Sequence, residues 1–422
     1  MKRRIYALLL ALSAVLGTGA AHADNLMPGS KFCDQSKAFK GISVLADGPA
    51  SQLPVHADVF RPAFAAACRS GSGLVTYLGS GDRAGIDVVL DHYAKRTFGT
   101  SDVPFSTAEW LEAWFDLHSP DRHNRLSAFG LHQVPLYVNV ISVGYNLPSC
   151  KVSSLQLRSQ VLSMIYAGVI NFWDHQLLVQ DNPKLATCHY PIRILKRAEE
   201  AGTTVTFKNY LAKRNPYWRY YEQPEQNQVW PSVTNACPAL GEDGMADCIL
   251  STQNSIGYLQ YHEAKVRGVR VARLDNAAGA TSVPPAFIPP SPQGCTEAAS
   301  SAVLPPAKPA QEIPVGIDNG PHTTLTVRGA SPTSSDWSTV SITDATVGYP
   351  LCSFSFALIF QELQHAYSDQ PFDQRQARTA VDYLITAVSD RAQARLPLFG
   401  FGRLPKAIQD ASREGLTEIV VV

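Results

Sequence analysis

A run of strand-forming residues near the middle of the chain constrains its fold more than any other feature. Residues 135–146 read PLYVNVISVGYN, a long stretch rich in β-branched and aromatic side chains. Upstream, the strand-like runs 41–46 and 74–78 alternate with the helical patterns 57–68 and 84–95. Such alternation favours parallel strands covered by helices. We therefore predict an α/β chain in which residues 135–146 pass from one lobe into another.

The charge balance and composition exclude several classes of protein. The chain has 36 Lys and Arg against 36 Asp and Glu, and 45% of its residues are hydrophobic against 17% charged. Disordered, collagen-like and coiled-coil chains have different compositions. A nucleic-acid-binding protein would be expected to carry net positive charge, which this chain lacks. We expect roughly two or three compact units that bind no nucleic acid.

The N-terminal residues are typical of a secretory signal peptide. Basic residues 2–4 precede the mostly apolar segment 5–16, and the small residues at 21–23 form a cleavage site after Ala23. The apolar segment is too short to span a bilayer, and no later stretch of about 18 residues is apolar enough. The prediction is a periplasmic or secreted mature protein without a membrane span.

The cysteines agree with export. All eight lie beyond the predicted signal peptide, and an even number in an oxidising compartment implies disulfides. A short loop or a shared lobe favours local closure, so we predict the pairs Cys150–Cys188 and Cys237–Cys248. A buried free thiol is the alternative for any single cysteine.

Three places combine small residues with the start of a helix, which leaves backbone N–H groups able to bind an anion. The Gly-Ser-Gly turn at 79–81 follows a predicted strand, and Gly202-Thr203 opens a predicted helix shortly after Arg197. Ser51 follows a third turn of small residues. The alternative at Thr203 is a plain helix cap.

Asp102 would make such an anion site specific. A carboxylate about 3 Å from a fully ionised oxyanion repels it by on the order of 5 kcal/mol at an effective dielectric constant of about 20. The ligand must therefore bring a proton, as hydrogen phosphate and arsenate do at neutral pH and sulfate does not. This hypothesis requires Arg197 and Asp102 to face one hollow that no carboxylate of the protein fills. The alternative is that Asp102 caps a local turn.

Six ordered segments along the chain match the motifs of one protein family. FGTSDVPFS, around Asp102, is similar to F-G-A-S-D-x-P-[LM]-[ST], and RAEEAGTTVTFKNYLAK, from Arg197, is similar to R-[SA]-D-G-S-G-T-[ST]-x-x-F-x-x-Y-L. The other segments are VNVISVGYNLP, LSMIYAGVINFWDHQLLVQDNP, NSIGYLQYHEA and the run from Tyr349 to Phe360. Together they resemble the periplasmic phosphate-binding protein of the bacterial high-affinity phosphate ABC transporter. The resemblance implies an α/β, two-lobed periplasmic-binding-protein fold with hinge strands and a central anion cleft.

The resemblance also implies a set of phosphate ligands. Arg197 would neutralise and orient the phosphate, Asp102 would accept its proton, and hydroxyl and backbone N–H groups would complete the shell. The positions that match the family's ligands are Ser51, Ser80, Asp102, Arg197, Gly202 and Thr203.

Residues 197–203, here called the anion loop, depart from the family pattern at three positions. Ala201 stands where the family has Ser, Glu200 where it has Gly, and Glu199 where it has Asp. Losing one hydroxyl donor to a charged ligand costs roughly 1.5 to 3 kcal/mol. Glu200 adds a carboxylate close to the expected position of the anion, unless it points to water.

The family resemblance implies a discontinuous first lobe at 24–134 and 268–422 and a second lobe at 135–267. A Pro- and Ala-rich insertion at about 277–314 is expected to be an exposed loop or linker of polyproline character. The expected partners are inorganic phosphate and a phosphate ABC-transporter permease. A monomer is expected, without catalytic residues, metal or cofactor.

Two other functions stay open at this point. The chain could be an exported phosphomonoesterase or another hydrolase that uses Glu199 and Glu200 for acid–base chemistry. It could also be a binding or adhesion module that uses the Pro-rich insertion and the aromatic stretch YWRYY at 217–221.

Overall fold

The computed structural model describes residues 43–68, 75–90, 96–105, 130–214, 218, 230–238, 240–307, 312–315, 323–326, 331–343, 345–361, 363 and 374–420. The predicted signal peptide at 1–23 lies outside these ranges. Among the helices that they contain, none is long and apolar enough to cross a membrane.

Short runs of β-branched and aromatic residues form the strands, as their preference for a pleated, half-buried surface dictates. In chain order the strands are β1 (Val44–Asp47), β2 (Val75–Tyr77), β3 (Phe98–Ser101), β4 (Leu131–Asn146), β5 (Gln156–Leu157), β6 (Arg193–Lys196), β7 (Thr234–Ala236), β8 (Ser255–Gln260), β9 (Arg270–Val271), β10 (Arg273–Leu274), β11 (Glu312–Val315), β12 (Thr323–Thr326) and β13 (Cys352–Phe360).

The long strand β4 joins the two halves of a nine-stranded sheet. The sheet has the order β2-β1-β3-β13-β4-β8-β6-β7, and β9 also pairs with β4. β13 runs antiparallel to β4 from Leu131 to Val140, and β8 runs antiparallel to it from Ile141 to Asn146. On one side β1 is parallel to β2 and β3, and on the other β6 is parallel to β7 and β8. The predicted strand at 135–146 is thus present, begins at Leu131, and connects two sets of parallel strands.

Helices cover the sheet, and several begin within two or three residues of the positions that the pattern predicts. The pattern at 57–68 forms one π-helical turn, His56–Phe60, followed by a regular helix. In chain order the α-helices are α1 (Leu53–Val55), α2 (Arg61–Cys68), α3 (Asp82–Leu90), α4 (Ser159–Tyr166), α5 (Gln176–Asp181), α6 (Gly202–Arg214), α7 (Gly241–Ser251), α8 (Tyr261–Arg267), α9 (Ala277–Thr281), α10 (Pro292–Ala299), α11 (Gln374–Ala387), α12 (Asp390–Arg395) and α13 (Lys406–Thr417).

Aromatic packing fixes the direction of helix α6. The Phe207 ring stacks on Tyr258 of β8 with a centroid distance of 4.4 Å and meets Tyr166 of α4 edge-on at 4.8 Å. All three side chains are fully buried, and burying each contributes roughly 1.5 to 3 kcal/mol. Since the helix is anchored at this point, its first residue, Gly202, is held near the carboxyl end of strand β6.

The disulfides confirm both predicted pairs and correct the interpretation of the Pro-rich insertion. Cys150–Cys188 and Cys237–Cys248 are bonded. A third bridge joins Cys295 of α10 to Cys352 of β13. The insertion is therefore not an extended polyproline linker throughout, because it contains α9 and α10 and is tied to the central sheet. Ser291 caps α10 by accepting a hydrogen bond from the backbone N–H of residue 294, and this cap overrides the Pro-rich composition.

The bounds of the two lobes stay a prediction. Beyond residue 268, β9 pairs with β4 at Gly144 and Tyr145, and β10 pairs with β5. The chain therefore continues beside strands of the predicted second lobe for several residues before it reaches the insertion.

Candidate functional site

Four junctions between a strand and a helix surround a cavity of about 410 Å³. They are residues 49–51, 79–83, 197–203 and 240–242. These junctions follow the carboxyl ends of the parallel strands β1, β2, β6 and β7. In α/β sheets, ligands bind outside the carboxyl ends of the strands. This cavity is therefore the candidate binding site.

Five of the six predicted ligand positions line this cavity, and the sixth lies directly behind its wall. Asp102 follows β3 and is only 1% exposed. A Cβ atom built on Gly202 would lie 2.7 Å from the Cβ atom of Asp102, so only glycine fits at this point. The lining residues are Ser51, Ser80, Arg197, Gly202 and Thr203.

A network of side-chain donors holds the Asp102 carboxylate. Ser51, in the turn before α1, donates its hydroxyl hydrogen to Oδ2. Gln52 Nε2 donates to Oδ1 at 2.9 Å, and Ser355 Oγ of β13 donates to the same oxygen at 2.5 Å. Asp102 is thus a positioned acceptor and not a simple turn cap. Gln52 and Ser355 are members of the network that the sequence pattern did not reveal.

Asp82 is a second buried carboxylate in the site, and it corrects one expectation. It begins helix α3 and lines the cavity. Its Oδ2 accepts a hydrogen bond from Gly202 N at 2.8 Å, and its Oδ1 accepts one from Asp102 N at 2.7 Å. The hypothesis from sequence required a hollow that no carboxylate of the protein fills. Asp82 does not fill the cavity of about 410 Å³, but it already accepts the hydrogen bond of Gly202 N, which the sequence had assigned to the anion.

Arg197 lies in the cavity wall between two glutamates. Its Nε donates to Glu199 Oε1 at 2.7 Å, Nη2 donates to the same oxygen, and Nη1 donates to Glu242. The side chain is 6% exposed. A guanidinium has about five N–H donors in a fixed plane, so the two glutamates orient it and use only part of its capacity.

Glu242 links Arg197 to the start of helix α6. Besides the Arg197 contact, its Oε1 accepts a hydrogen bond from Thr203 Oγ1 at 2.7 Å. Its Oε2 accepts one from Gln260 N at 2.7 Å. Nothing in the local sequence pattern points to Glu242, because its partners lie far away along the chain.

The remaining residues of the anion loop differ in exposure. Glu199 Oε1 also accepts a hydrogen bond from Gly241 N at 2.8 Å, whereas Glu200 is exposed at the cavity wall. Ser80 is exposed too, and its backbone N–H donates to Asp47 Oδ1 at 2.9 Å. The extra carboxylate of Glu200 therefore faces water.

Burial and mutual repulsion shift the acidities of the two aspartates. Burial, and then the charge of Asp82, raises the pKa of Asp102 to about 7, against the opposing hydrogen bonds from Ser355, Ser51 and Gln52. Burial also raises the pKa of Asp82. Burial alone would raise the pKa of Glu199, but the hydrogen bond and charge of Arg197 outweigh it and lower that pKa.

With this geometry established, comparison with known proteins identifies the family. The model described as a PBP superfamily domain matches residues 34–319, which is more than half of the chain. The chain belongs to the PBP superfamily. As a PBP, it has the two-lobed periplasmic-binding-protein fold that the sequence predicted.

Curated relatives of this PBP are named phosphate-binding proteins. The chain is 27% identical over 205 residues to the phosphate-binding protein PstS of Xylella fastidiosa, covering 49% of this chain and 50% of that protein. It is 30% identical over 183 residues to PstS of Haemophilus influenzae, covering 43% and 52%. It is 28% identical over 280 residues to PstS3 of Mycobacterium bovis, covering 65% and 70%. The chain spans about half the length of the first two relatives.

Solved structures support the fold of this PBP. A high-affinity periplasmic phosphate-binding protein, PfluDING, matches with a TM-score of 0.58 and 18% identity over 88% of this chain and 93% of that one. The phosphate-binding protein of Stenotrophomonas maltophilia matches with a TM-score of 0.56 and 15% identity over the same shares. At such low identity the likeness shows the fold alone.

Proposed function

We propose that this chain is an exported solute-binding protein that binds one inorganic hydrogen phosphate in the cavity. One observation carries the proposal: Arg197 and the start of α6 meet Ser51 and Ser80 around a single cavity, with Asp102 directly behind Gly202. The names of the curated relatives support phosphate as the ligand. The bound phosphate would pass to an ABC-transporter permease or be held for scavenging.

The contacts in the site suit an anion that carries a proton. Arg197 is oriented by three hydrogen bonds that it donates to Glu199 and Glu242, and its remaining N–H groups can contact phosphate oxygens. Asp102 accepts three side-chain hydrogen bonds, and a carboxylate has about four acceptor positions. One position is therefore left for the hydroxyl of hydrogen phosphate, whereas sulfate has no hydrogen to donate.

The same contacts argue against the two alternatives. Glu199, one of the acid–base candidates of a hydrolase, is held by Arg197 and by Gly241 N. Trp218, the second residue of the aromatic stretch, is buried and packs on Trp230 with a centroid distance of 5.8 Å. The other residues of that stretch lie outside the described ranges. We therefore propose a binding protein that catalyses no reaction. Export by residues 1–23 and a monomeric state remain predictions from the sequence.

Isothermal titration calorimetry with phosphate, arsenate and sulfate tests this function. The chain without residues 1–23 should bind phosphate and arsenate and discriminate against sulfate. Asp102→Asn should weaken phosphate binding about ten- to a hundredfold and narrow the gap to sulfate, because an amide can donate a hydrogen bond to an unprotonated oxyanion. Asp410→Asn, on the surface of α13, is the control. Unchanged selectivity in Asp102→Asn would contradict the role of Asp102.

A further inference from the structure

The start of helix α6 already has an anion bound to it, and that anion is part of the protein. Asp82 Oδ2 accepts a hydrogen bond from Gly202 N at 2.8 Å. The second oxygen, Oδ1, accepts hydrogen bonds from Asp102 N at 2.7 Å and from Ser101 Oγ at 3.2 Å. A helix N-terminus favours negative charge, and its N–H groups bind oxyanions. The Asp82 carboxylate therefore has the position and the contacts expected of one edge of a bound oxyanion.

This contact also crosses the site. Asp82 begins α3 after β2, which is at one end of the sheet order, and Gly202 begins α6 after β6, near the other end. The contact thus joins the two halves of the sheet by the same kind of bond that a ligand in the cavity would make. Because Gly202 packs against Asp102, the halves are already closely apposed here.

An oxyanion and the Asp82 carboxylate cannot both accept the hydrogen bond of Gly202 N at close range. Asp82 and Asp102 already form a pair of neighbouring carboxylates, and the cation beside them, Arg197, is paired with two glutamates. Adding a phosphate next to an unmoved Asp82 would place a third anion against this pair. Binding is therefore more favourable when Asp82 has turned away or taken up a proton.

We propose that Asp82 lowers the affinity of the site as an internal carboxylate that competes with phosphate for Gly202 N. The inference rests on the proposed function. It implies that the unmodified chain binds phosphate less tightly than the other residues of the binding site would permit.

Two substitutions at Asp82 separate its charge from its shape. Asp82→Ala removes the competing acceptor, and Asp82→Asn keeps the side-chain size but removes the charge. In calorimetric titration with inorganic phosphate we expect about tenfold tighter binding for Asp82→Ala and a smaller gain for Asp82→Asn. Asp410→Asn serves as the control. Circular dichroism and thermal unfolding establish that each variant is folded, and Asp82→Asn provides the test if the alanine variant is not.

Amide hydrogen exchange at Gly202 provides a second measurement. In the unmodified chain the Asp82 hydrogen bond should protect this amide without phosphate. In Asp82→Ala the amide should exchange faster and regain protection when phosphate is added. Protection that is unaffected by the substitution would overturn the proposed contact.

The titrations distinguish a failure of this inference from a failure of the proposed function. If the unmodified chain binds phosphate and both variants bind it equally or more weakly, the role of Asp82 is wrong and the proposed function stands. If neither the unmodified chain nor either variant binds phosphate, both are wrong. If only the variants bind phosphate, competition by Asp82 is supported and the function proposed for the unmodified chain is overturned.

Discussion

Asp102 is the residue of the site whose ionisation should affect the stability of the fold near neutral pH. Its usual pKa of 3.8 is raised to about 7, first by burial and then by the charge of Asp82. A carboxyl whose pKa is higher in the folded state favours folding when it is protonated. Its contribution is complete below the unfolded pKa and is lost as the pH rises through the folded value. Asp102 should therefore stabilise the fold at low pH and cease to do so near neutrality.

This sign can be tested by measuring stability against pH for Asp102→Asn. The free energy of unfolding of the unmodified chain, minus that of the variant, should fall as pH rises from about 4 to about 7. The fall should be at most about 1.4 kcal/mol for each pH unit, the limit for one proton. Glu418, whose pKa burial raises to about 7, is present in both chains and cancels in the difference. Urea unfolding at several pH values measures the effect, and parallel profiles would contradict it.

At the same scale, the sequence predicted which residues line the cavity better than it predicted their hydrogen-bond partners. Gly202 and Thr203 could be placed at a helix start from a local pattern, because a small residue there is visible in the sequence. Asp82 and Glu242 could not, because they act on residues that the fold brings near from 120 and 39 positions away. Asp82 directly follows the Gly-Ser-Gly turn, and this proximity was the one available signal.

At the scale of elements, the disulfide between α10 and β13 holds the Pro-rich segment in place. Cys295 and Cys352 are both fully buried, and 57 residues separate them. The bridge between Cys237 and Cys248 spans only 11 residues. The entropy that a disulfide removes from the unfolded chain grows with the loop that it closes. The longer bridge should therefore contribute more to stability.

Paired serine substitutions test this order. Replacing both Cys295 and Cys352 by serine should lower the free energy of unfolding by about 4 kcal/mol. Replacing both Cys237 and Cys248 should lower it by about 3 kcal/mol. Urea unfolding of each variant under non-reducing conditions measures the two losses. A larger loss for the shorter bridge would contradict the loop-entropy argument.

The elements themselves were largely predictable, and their long-range pairing was not. The β-branched and aromatic run at 135–146 placed β4 within four residues of its observed bounds, and the small residues Gly202-Thr203 placed the start of α6. The two local disulfides followed from chain proximity, whereas the Cys295–Cys352 bridge depends on β13 returning to the sheet beside β4. The Pro-rich composition of the insertion predicted a polyproline loop or linker, but a Pro-rich segment with a capping serine can begin a helix.

At the scale of the whole molecule, β4 is continuous through both halves of the sheet. One part of it pairs with β13 and the other with β8. The cavity lies where the carboxyl ends of parallel strands from the two halves meet. Movement about such connecting strands could open and close the cavity by hinge bending. The central claim is that a single protonated oxyanion is bound there by residues from both halves.

A crystal structure of the chain with arsenate, located by the anomalous scattering of arsenic, tests this claim most directly. We expect one arsenic site in the cavity, with its oxygens about 2.7–3.2 Å from the Arg197 guanidinium and the N–H groups of Gly202 and Thr203. Asp102 should accept a hydrogen bond from the arsenate hydroxyl, with Asp82 turned away from Gly202. An arsenic site elsewhere on the chain, or none in a fully loaded crystal, would contradict the account.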